Sequence, residues 1–478
     1  MSPPLYDALK DYAAKKAARF HMPGHKGRWL PLPELVPLAP LDVTEIPGTG
    51  NLYEAGEPFD SAQVLWAQVF GFDHCQFLTG GSTMGVLTGL TLFCPPGSRV
   101  LLDRGCHRSA FNALALLDLD PVYLPRPWLA EENLVGPFGP EQVEAALKKT
   151  PDIKTICITS PTYTGALSDI PAIAQVAHVH GARLLVDGAH GAHLPFLGID
   201  AFAGADGVVV SAHKTLPAMG QSALLFTRGV DPELVRRRAS LYGSSSPSYP
   251  MMASLDAARD WLLGPGKQEY DRAARRVAGL RRRFPSVGDQ LPWDPARLTV
   301  KVKNGPAFAR ALEGMGIYPE MEDGGHVVFI CSAQDREEDL DRLEGALSAL
   351  EGEMGPCPPL PAPPAPERVL SPRQALFAPV ETLPLADCLG RVAAGQLAPY
   401  PPGIPVVAPG ERIGKKELSY FAQIGYNSPN VAVVKEEVYR RGRCPQRPAG
   451  GACTHGGHPH PPPAGAPSPL DGEGDIRF

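Results

Sequence analysis

The sequence contains no excess of positive charge, no long apolar run and no apolar leader at its N-terminus. Its 45 Lys and Arg residues are outnumbered by 51 Asp and Glu residues, which leaves a formal net charge of −6. A basic surface for nucleic acid or for an anionic membrane is therefore not expected. No apolar stretch is long enough to span a bilayer, and the first residues lack the apolar core of a signal peptide. These absences predict a cytoplasmic protein without a nucleic-acid or membrane partner.

Paired cysteines and nucleotide-binding motifs are also missing. The nine cysteines are scattered, odd in number and without a C-x-x-C pair, which favours free thiols in a reducing compartment over a disulfide framework. The glycine turn at Gly80 and Gly81 carries neither a Walker lysine nor the G-x-G-x-x-G pattern, so an ATP or NAD site is not predicted. Two histidines and a lysine flank the turn Pro23-Gly24, but no acidic or cysteine ligand is at hand. By composition the stretch is a basic surface loop, and a metal site is the less favoured alternative.

Short apolar runs alternate with helical patterns through the first half of the chain. The runs lie at 122–124, 155–159, 184–186, 208–210 and 223–226. Helical spacing is seen between them at 170–181, and also at 4–19 near the N-terminus. Alternating strands and helices predict an α/β fold whose mostly parallel sheet is covered on both faces.

Composition divides the chain further, since 478 residues usually form two or three domains. Strands at 298–302 and 327–331, followed by a helix for which Ser332 is a candidate cap, predict a small α+β domain. A Pro-rich stretch then predicts a stiff linker. The expected units are an N-terminal arm 1–40, a major domain 41–262, a small α+β domain 263–354, a linker 355–366, a C-terminal domain 367–440 and a tail 441–478.

The tail is rich in Gly, Pro and His. Such a composition cannot bury an apolar core, which favours disorder. The alternative is a soft-metal site built from two cysteines and three histidines: Cys444, Cys453, His455, His458 and His460.

Lys214 is the strongest candidate for chemistry. It follows the apolar run 208–210 after Ser211, Ala212 and His213. An ammonium group placed where a buried strand breaks into a loop is poorly hydrated. Desolvation lowers its pKa, and a neutral amine can attack a carbonyl. A solvated surface lysine is the ordinary alternative.

Asp187 strengthens the case because it ends the preceding apolar run. A carboxylate at the carboxyl end of a strand in an α/β sheet points into the crevice where ligands bind. An aspartate, then a strand, a Ser/His pair and a lysine form the arrangement that holds pyridoxal phosphate (PLP). The lysine forms the Schiff base, and the carboxylate keeps the pyridine nitrogen protonated. A turn-forming or helix-capping aspartate is the alternative.

Two further stretches can contribute to such a site. Ser82 and Thr83 follow a glycine turn at the start of a predicted helix, where free N–H groups form an anion site. An ordinary N-cap is the alternative there. His107 lies just beyond a predicted strand, where an imidazole can stack on a flat cofactor. A lone histidine in that place is more often a satisfied surface residue.

Eight stretches, taken in order, resemble the Orn/Lys/Arg decarboxylases of PLP fold type I in their short bacterial form. The resemblance runs from the N-terminus to about residue 435. The stretches are Phe20-His-Met-Pro-Gly-His-Lys-Gly27, Thr44-Glu-Ile-Pro-Gly48, Gly80-Gly-Ser-Thr83, Asp103-Arg-Gly-Cys-His107, Ser160-Pro-Thr-Tyr163, Asp187-Gly-Ala-His190, Ser211-Ala-His-Lys-Thr-Leu216 and Tyr400-Pro-Pro-Gly-Ile-Pro405. This resemblance implies a mostly parallel central sheet in a PLP-binding major domain, a small α+β domain and a C-terminal decarboxylase domain.

The resemblance also implies roles for individual residues. Lys214 is expected to carry the cofactor and Asp187 to pair with its ring nitrogen. His107 is expected to stack on the ring, with His190 close to the phenolic oxygen. Lys214 or His213 is expected to return a proton to the substrate. Ser82, Thr83 and Ser211 are expected to hold the cofactor phosphate, assisted by His213, and Gly81 is expected to be a further cofactor-binding residue.

The expected reaction is decarboxylation of a basic amino acid, with L-arginine giving agmatine for polyamine biosynthesis. Two positions depart from the family pattern. Gly188 stands where a glutamate is usual, and residues 48–53 read Gly-Thr-Gly-Asn-Leu-Tyr in place of Gly-Leu-Asp-Asp-Leu-His. A guanidinium group is best held by a carboxylate fork. The candidate carboxylates in loops are Glu45, Glu54, Glu57 and Glu411.

Several alternatives stay open. Lysine or ornithine can replace arginine as the substrate. Another fold type I enzyme, such as an aminotransferase or lyase, would show the same Asp187 and Lys214. A non-catalytic regulatory protein of this fold is a third alternative, although retention of both residues argues against it. A homodimer or a multiple of dimers is expected.

Overall fold

The computed structural model describes residues 2–288, 291–356, 359–399 and 404–440. The predicted tail 441–478, with its candidate metal ligands, lies outside the described residues. So do residues 400–403, which form most of the predicted Tyr-Pro-Pro-Gly-Ile-Pro segment.

The strands belong to four sheets of different size. In chain order they are β1 His74–Leu78, β2 Arg99–Asp103, β3 Asp120–Leu124, β4 Trp128–Leu129, β5 Leu134–Val135, β6 Thr155–Thr159, β7 Arg183–Asp187, β8 Gly207–Ser211, β9 Ala223–Thr227, β10 Arg297–Lys301, β11 Met321–Glu322, β12 His326–Ile330, β13 Val380–Leu383 and β14 Val431–Val434.

The helices alternate with the strands over the first half of the chain. They are α1 Pro4–Ala14, α2 Phe59–Phe70, α3 Gly81–Phe93, α4 Arg108–Leu116, α5 Pro140–Lys149, α6 Ile170–Val179, α7 Ala212–Thr215, α8 Pro232–Ser240, α9 Tyr249–Leu263, α10 Pro265–Arg283, α11 Gly305–Gly314, α12 Glu337–Ala349, α13 Pro372–Leu376, α14 Lys415–Gln423 and α15 Glu436–Arg440. Short 3₁₀ helices span Pro33–Leu41, Leu194–Leu197, Glu351–Glu353 and Leu385–Asp387.

The central sheet has seven strands in the order β1-β9-β8-β7-β6-β2-β3. Strands β8, β7, β6, β2 and β3 run parallel, whereas β9 is antiparallel to both β1 and β8. Strands β1, β8 and β9 are buried along their whole length, and β2, β6 and β7 are buried at all but one end residue, as expected for apolar runs covered by helices on both faces. The mostly parallel sheet predicted from the sequence is confirmed. It brings the carboxyl ends of β2, β6, β7 and β8 to one edge.

Two glycines one turn apart let the backbone of helix α3 pack directly against this sheet. A methyl group on Gly85 would lie 2.4 Å from Cγ1 of Val209 in β8. A methyl group on Gly89 would lie 2.8 Å from Cδ1 of Leu185 in β7. The two glycines therefore allow close packing of α3 on the strands that lead to Asp187 and Lys214.

The chain after α9 forms two smaller units. Strands β10, β12 and β11 make an antiparallel sheet. Its apolar core includes Leu298, Val300, Phe308, Leu312 and Leu347. Strands β13 and β14 form an antiparallel pair, next to a separate apolar cluster around Phe421. The domain boundaries drawn from the sequence stay a prediction.

Two details of the sequence-based prediction are wrong. Helix α1 ends at Ala14 instead of residue 19, because Lys16 adopts a left-handed φ of 49° that a helix does not continue. Ser332 does not cap α12, because its Oγ accepts the backbone N–H of Gln334 in a local turn at 3.1 Å. The N-cap of α12 is Arg336.

No helix in the described part of the chain combines the length and the apolar character needed to cross a membrane. Within residues 2–288, 291–356, 359–399 and 404–440, no three His, Cys, Asp or Glu side chains gather closely enough to hold a metal ion. The described cysteines are buried and free.

Candidate active site

The candidate site lies where neighbouring parallel strands end. Asp187 is the last residue of β7 and pairs in register with Val209 of β8. Strand β8 ends at Ser211, and the single turn of helix α7 that follows carries Lys214. Parallel strands end at a common edge, so the local sequence of two separate strands brings the carboxylate and the amine together.

The Lys214 amine is desolvated. Burial lowers its pKa, and the carboxylates of Asp187 and Glu320 oppose that shift. Its Nζ lies 3.0 Å from Nε2 of His190. Because a lowered pKa raises the fraction of neutral amine near neutral pH, the lysine is suited to act as a nucleophile toward a carbonyl.

Asp187 is almost completely buried, and burial raises its pKa to about 6. The positive charge of Lys214 and the backbone N–H of Ala189, which donates to Oδ1 at 3.2 Å, both oppose the shift. A desolvated carboxylate of this kind favours a positively charged partner at the strand ends.

His107 and His190 are both held neutral beside Lys214. Burial, reinforced by the charge of Lys214, lowers the pKa of His107 to about 4. Nδ1 of His107 accepts the backbone N–H of Ser109 at 3.3 Å and so caps helix α4. Burial also lowers the pKa of His190 far below its usual range, and Lys214 and Arg297 add to this effect. A flat, uncharged imidazole therefore borders the site at both positions.

The predicted phosphate-binding residues lie at the starts of α3 and α7. Helix α3 begins at Gly81, whose φ is 68°, and its N-cap Gly80 has no side chain to satisfy the first N–H groups. Ser82 is half-buried and Thr83 is exposed in this first turn. Nδ1 of His213 lies 2.9 Å from the carbonyl oxygen of Ser222. The buried hydroxyl of Ser211 has no hydrogen-bond partner among the described residues, so it has capacity for a ligand.

Asp103, which belongs to one of the recognised stretches, supports the strand ends. It is fully buried and forms an ion pair with Arg126 at 2.5 Å. Its Oδ2 also accepts the backbone N–H of Thr159, the last residue of β6, at 3.0 Å. This pair holds the ends of β2 and β6 in place near the predicted site.

The four glutamates predicted to bind substrate lie in different surroundings. Glu54 and Glu57 are exposed. One oxygen of Glu45 accepts the hydroxyl of Thr44, and the other is buried without a partner among the described residues. Glu411 is buried and pairs with Arg104 at 2.8 Å. Their role in substrate binding stays a prediction.

One carboxylate near Lys214 was missed by the sequence reasoning. Glu320 stands directly before β11, and its Oε1 accepts a hydrogen bond from the hydroxyl of Tyr163. The Tyr163 ring meets the His190 ring edge-on, with centroids 4.6 Å apart. No local pattern distinguishes Glu320 from the acidic residues just after it, because its position depends on how the small sheet packs on the large one.

A buried aspartate and a desolvated lysine at adjacent strand ends, with two neutral histidines that feel the charge of that lysine, fit the site of a fold type I PLP enzyme. Two observations show that these residues suit the cofactor. The buried carboxylate of Asp187 is stabilised by a cationic partner, and the Ser211 hydroxyl has no hydrogen-bond partner among the described residues. The predicted roles of the individual residues stay predictions.

Comparison with known proteins agrees with this class. The model of "Orn/Lys/Arg decarboxylase, major domain" matches residues 3–302, and that of "Orn/Lys/Arg decarboxylase, C-terminal domain" matches residues 362–427. The chain belongs to the Orn/Lys/Arg decarboxylase family. The predicted family, the PLP cofactor and the decarboxylase activity on a basic amino acid are thereby confirmed.

Three relatives illustrate the match. The "Uncharacterized protein YaaO" of Bacillus subtilis (strain 168) is 31% identical, over 89% of this chain and 94% of that protein. An "Arginine decarboxylase" of the same strain is 30% identical, over 87% and 92%. The "Constitutive lysine decarboxylase" of Escherichia coli (strain K12) is 25% identical, over 87% and 76%. A solved structure of the E. coli enzyme has a TM-score of 0.76 at 21% identity, covering 91% of this chain and 82% of that one.

Proposed function

We propose that the protein decarboxylates L-arginine to agmatine and CO2, as a step in polyamine biosynthesis. The reaction class is carried by one observation, the pairing of a desolvated Lys214 with a buried Asp187 at neighbouring strand ends. Arginine is favoured by the 30% identity to an arginine decarboxylase over nearly the whole chain. Lysine is the second candidate, because a lysine decarboxylase also matches most of this chain.

The residues of the chain have distinct tasks in this proposal. Asp187 would hold the positive charge of the cofactor ring nitrogen, and His107 would be the residue that supports the ring. Ser82, Thr83 and Ser211 would hold the phosphate with help from His213, whereas the Gly81 N–H already donates to the carbonyl oxygen of Gln221 at 2.8 Å. PLP, when bound, supplies the electron sink that accepts the electron pair released as CO2 departs.

In this proposal, side chains near the reacting carbon transfer the protons. Burial lowers the pKa of Lys214 and so favours its neutral amine, which allows Nζ to accept a proton and later release it. Either Lys214 or His213 returns the proton to the substrate Cα after CO2 has left. His190, held uncharged 3.0 Å from Nζ, orients the amine without competing for its positive charge.

The test is to measure CO2 release and amine formation with arginine, lysine and ornithine. The expected result is the highest kcat/KM on arginine, with no turnover in Lys214→Ala, whose visible cofactor absorbance should also disappear. A wild type that prefers lysine or ornithine would refute the arginine assignment and keep the decarboxylase. Absence of CO2 from all three would contradict the function altogether.

We also propose that the chain forms a homodimer or a multiple of dimers in the cytoplasm. Support comes from the segment that follows α1, where large apolar side chains are exposed: Phe20 by 94%, Trp29 by 66% and Met22 by 57%. Apolar exposure of this extent is typical of a surface that another subunit covers. Sedimentation or light scattering would decide the proposal, and a monomer at micromolar concentration would contradict it.

A further inference from the structure

We propose that Glu320 binds the distal cationic group of the amino-acid substrate. The inference rests on the proposed function, because Glu320 would be the residue that determines substrate specificity in the same site. Glu320 was not among the glutamates predicted from the sequence. It belongs to the small antiparallel sheet, whereas Lys214 belongs to the large one, so the substrate would bridge the two units.

The position of Glu320 is fixed by its backbone. Its N–H donates to the carbonyl oxygen of Val328 in β12 at 2.9 Å, beside the Met321–Val328 pair of the two strands. The side chain is therefore presented from the edge of a rigid sheet instead of a free loop. A specificity residue needs this kind of fixed support.

Successive contacts connect the Glu320 carboxylate with the reacting amine. Its Oε1 accepts the Tyr163 hydroxyl, and the Tyr163 ring packs edge-on against His190 at 4.6 Å between centroids. His190 in turn lies 3.0 Å from Nζ of Lys214. The negative charge of Glu320 interacts electrostatically with Lys214 and opposes the lowering of the lysine pKa. The carboxylate thus stands close to the reacting centre without touching it.

The charge of Glu320 is not neutralised within the protein. By contrast, Asp103 near the site pairs with Arg126, and the buried Glu411 pairs with Arg104. In the part of the chain that the structure describes, no Lys or Arg nitrogen lies within 4.0 Å of a Glu320 carboxylate oxygen, and the Glu320 side chain is exposed. An accessible carboxylate with one oxygen bonded to a hydroxyl keeps acceptor capacity for a guanidinium or ammonium group.

A competing role for Glu320 is electrostatic support of Lys214, independent of the substrate side chain. The two roles differ in one respect. Binding of the distal cation matters only for substrates that have one, whereas an effect on Lys214 would change turnover of every amino acid. A neutral substrate of the same shape therefore separates them.

The experiment compares Glu320→Gln with the wild type on arginine and on citrulline, its uncharged isostere. We expect kcat/KM for arginine to fall at least tenfold, mainly through KM, as charged hydrogen bonds are lost. Citrulline should be affected less than twofold. Inhibition by agmatine, which keeps the guanidinium, should weaken by a similar factor to that seen for arginine. Lysine and norleucine form the equivalent pair for the second candidate substrate.

The matched control is Glu313→Gln, which removes the same charge from the exposed face of α11 in the same small unit. It should leave both substrates unchanged, and the visible cofactor absorbance should be normal in both variants. Equal losses on arginine and citrulline, or no loss on arginine, would overturn the assignment of Glu320. A wild type that releases no CO2 from any basic amino acid would instead refute the proposed function.

Discussion

Replacement of Asp187 by Asn tests the electrostatic core of the site. The two side chains have nearly the same shape, and Asn keeps an oxygen that can accept the Ala189 N–H. The substitution therefore removes a charge and preserves the packing around β7. We expect the variant to fold and to lose most of its turnover.

The structure sets the size of the effect. Burial raises the pKa of Asp187 from 3.8 to about 6, which corresponds to about 3 kcal/mol of cost for ionising the carboxyl group in the folded protein. A cationic cofactor nitrogen bound nearby offsets a cost of that order, and a neutral amide cannot. The loss of about 3 kcal/mol from the transition state corresponds to a decrease in kcat of about a hundredfold.

The same pKa gives a pH signature in the cofactor-free protein. Because the folded pKa is raised, Asp187 contributes stability that is present below about pH 4 and is lost as the pH rises through about 6. The Asn variant has no such titration. Its free energy of unfolding should therefore improve relative to the wild type between about pH 4 and pH 7.

Steady-state kinetics measures the loss of kcat, and urea unfolding at several pH values measures the change in the free energy of unfolding. A matched comparison with Asp187→Glu, which keeps the charge and shifts its position, separates loss of charge from loss of geometry. Near-normal turnover in the Asn variant, or parallel stability profiles for variant and wild type, would refute the reasoning.

Two further predictions concern packing around the site. Glu411→Ala should lower the free energy of unfolding by about 3 kcal/mol, because it leaves the Arg104 guanidinium without its buried partner; an increased KM with unchanged stability would show instead that Glu411 serves the substrate. Gly85→Ala should cost about 1–3 kcal/mol in urea unfolding, since the added methyl group would lie 2.4 Å from Val209. Gly345→Ala, in a helix with open space around the glycine, is its control and should be neutral or slightly stabilising.

The sequence alone determined the character of the large sheet and its two central side chains. β-Branched and aliphatic runs between helical patterns are local signals, and they predicted β6, β7, β8 and β9 within one residue at each end. Asp187 was found because it directly follows such a run, and Lys214 because it lies four residues beyond the next one. The parallel order of strands then places them together without further information.

Only the tertiary structure decided which distant side chains complete the site. Glu320 lies 157 positions from Tyr163 in the chain, and their contact depends on the packing of one sheet against another. Glu411 and Arg104 are separated by 307 positions, and their ion pair depends on where the C-terminal segment docks. A carboxylate has the same local sequence signature whether it is solvated, paired or free to bind a ligand. Its surroundings, which the folded chain supplies from remote segments, decide its role.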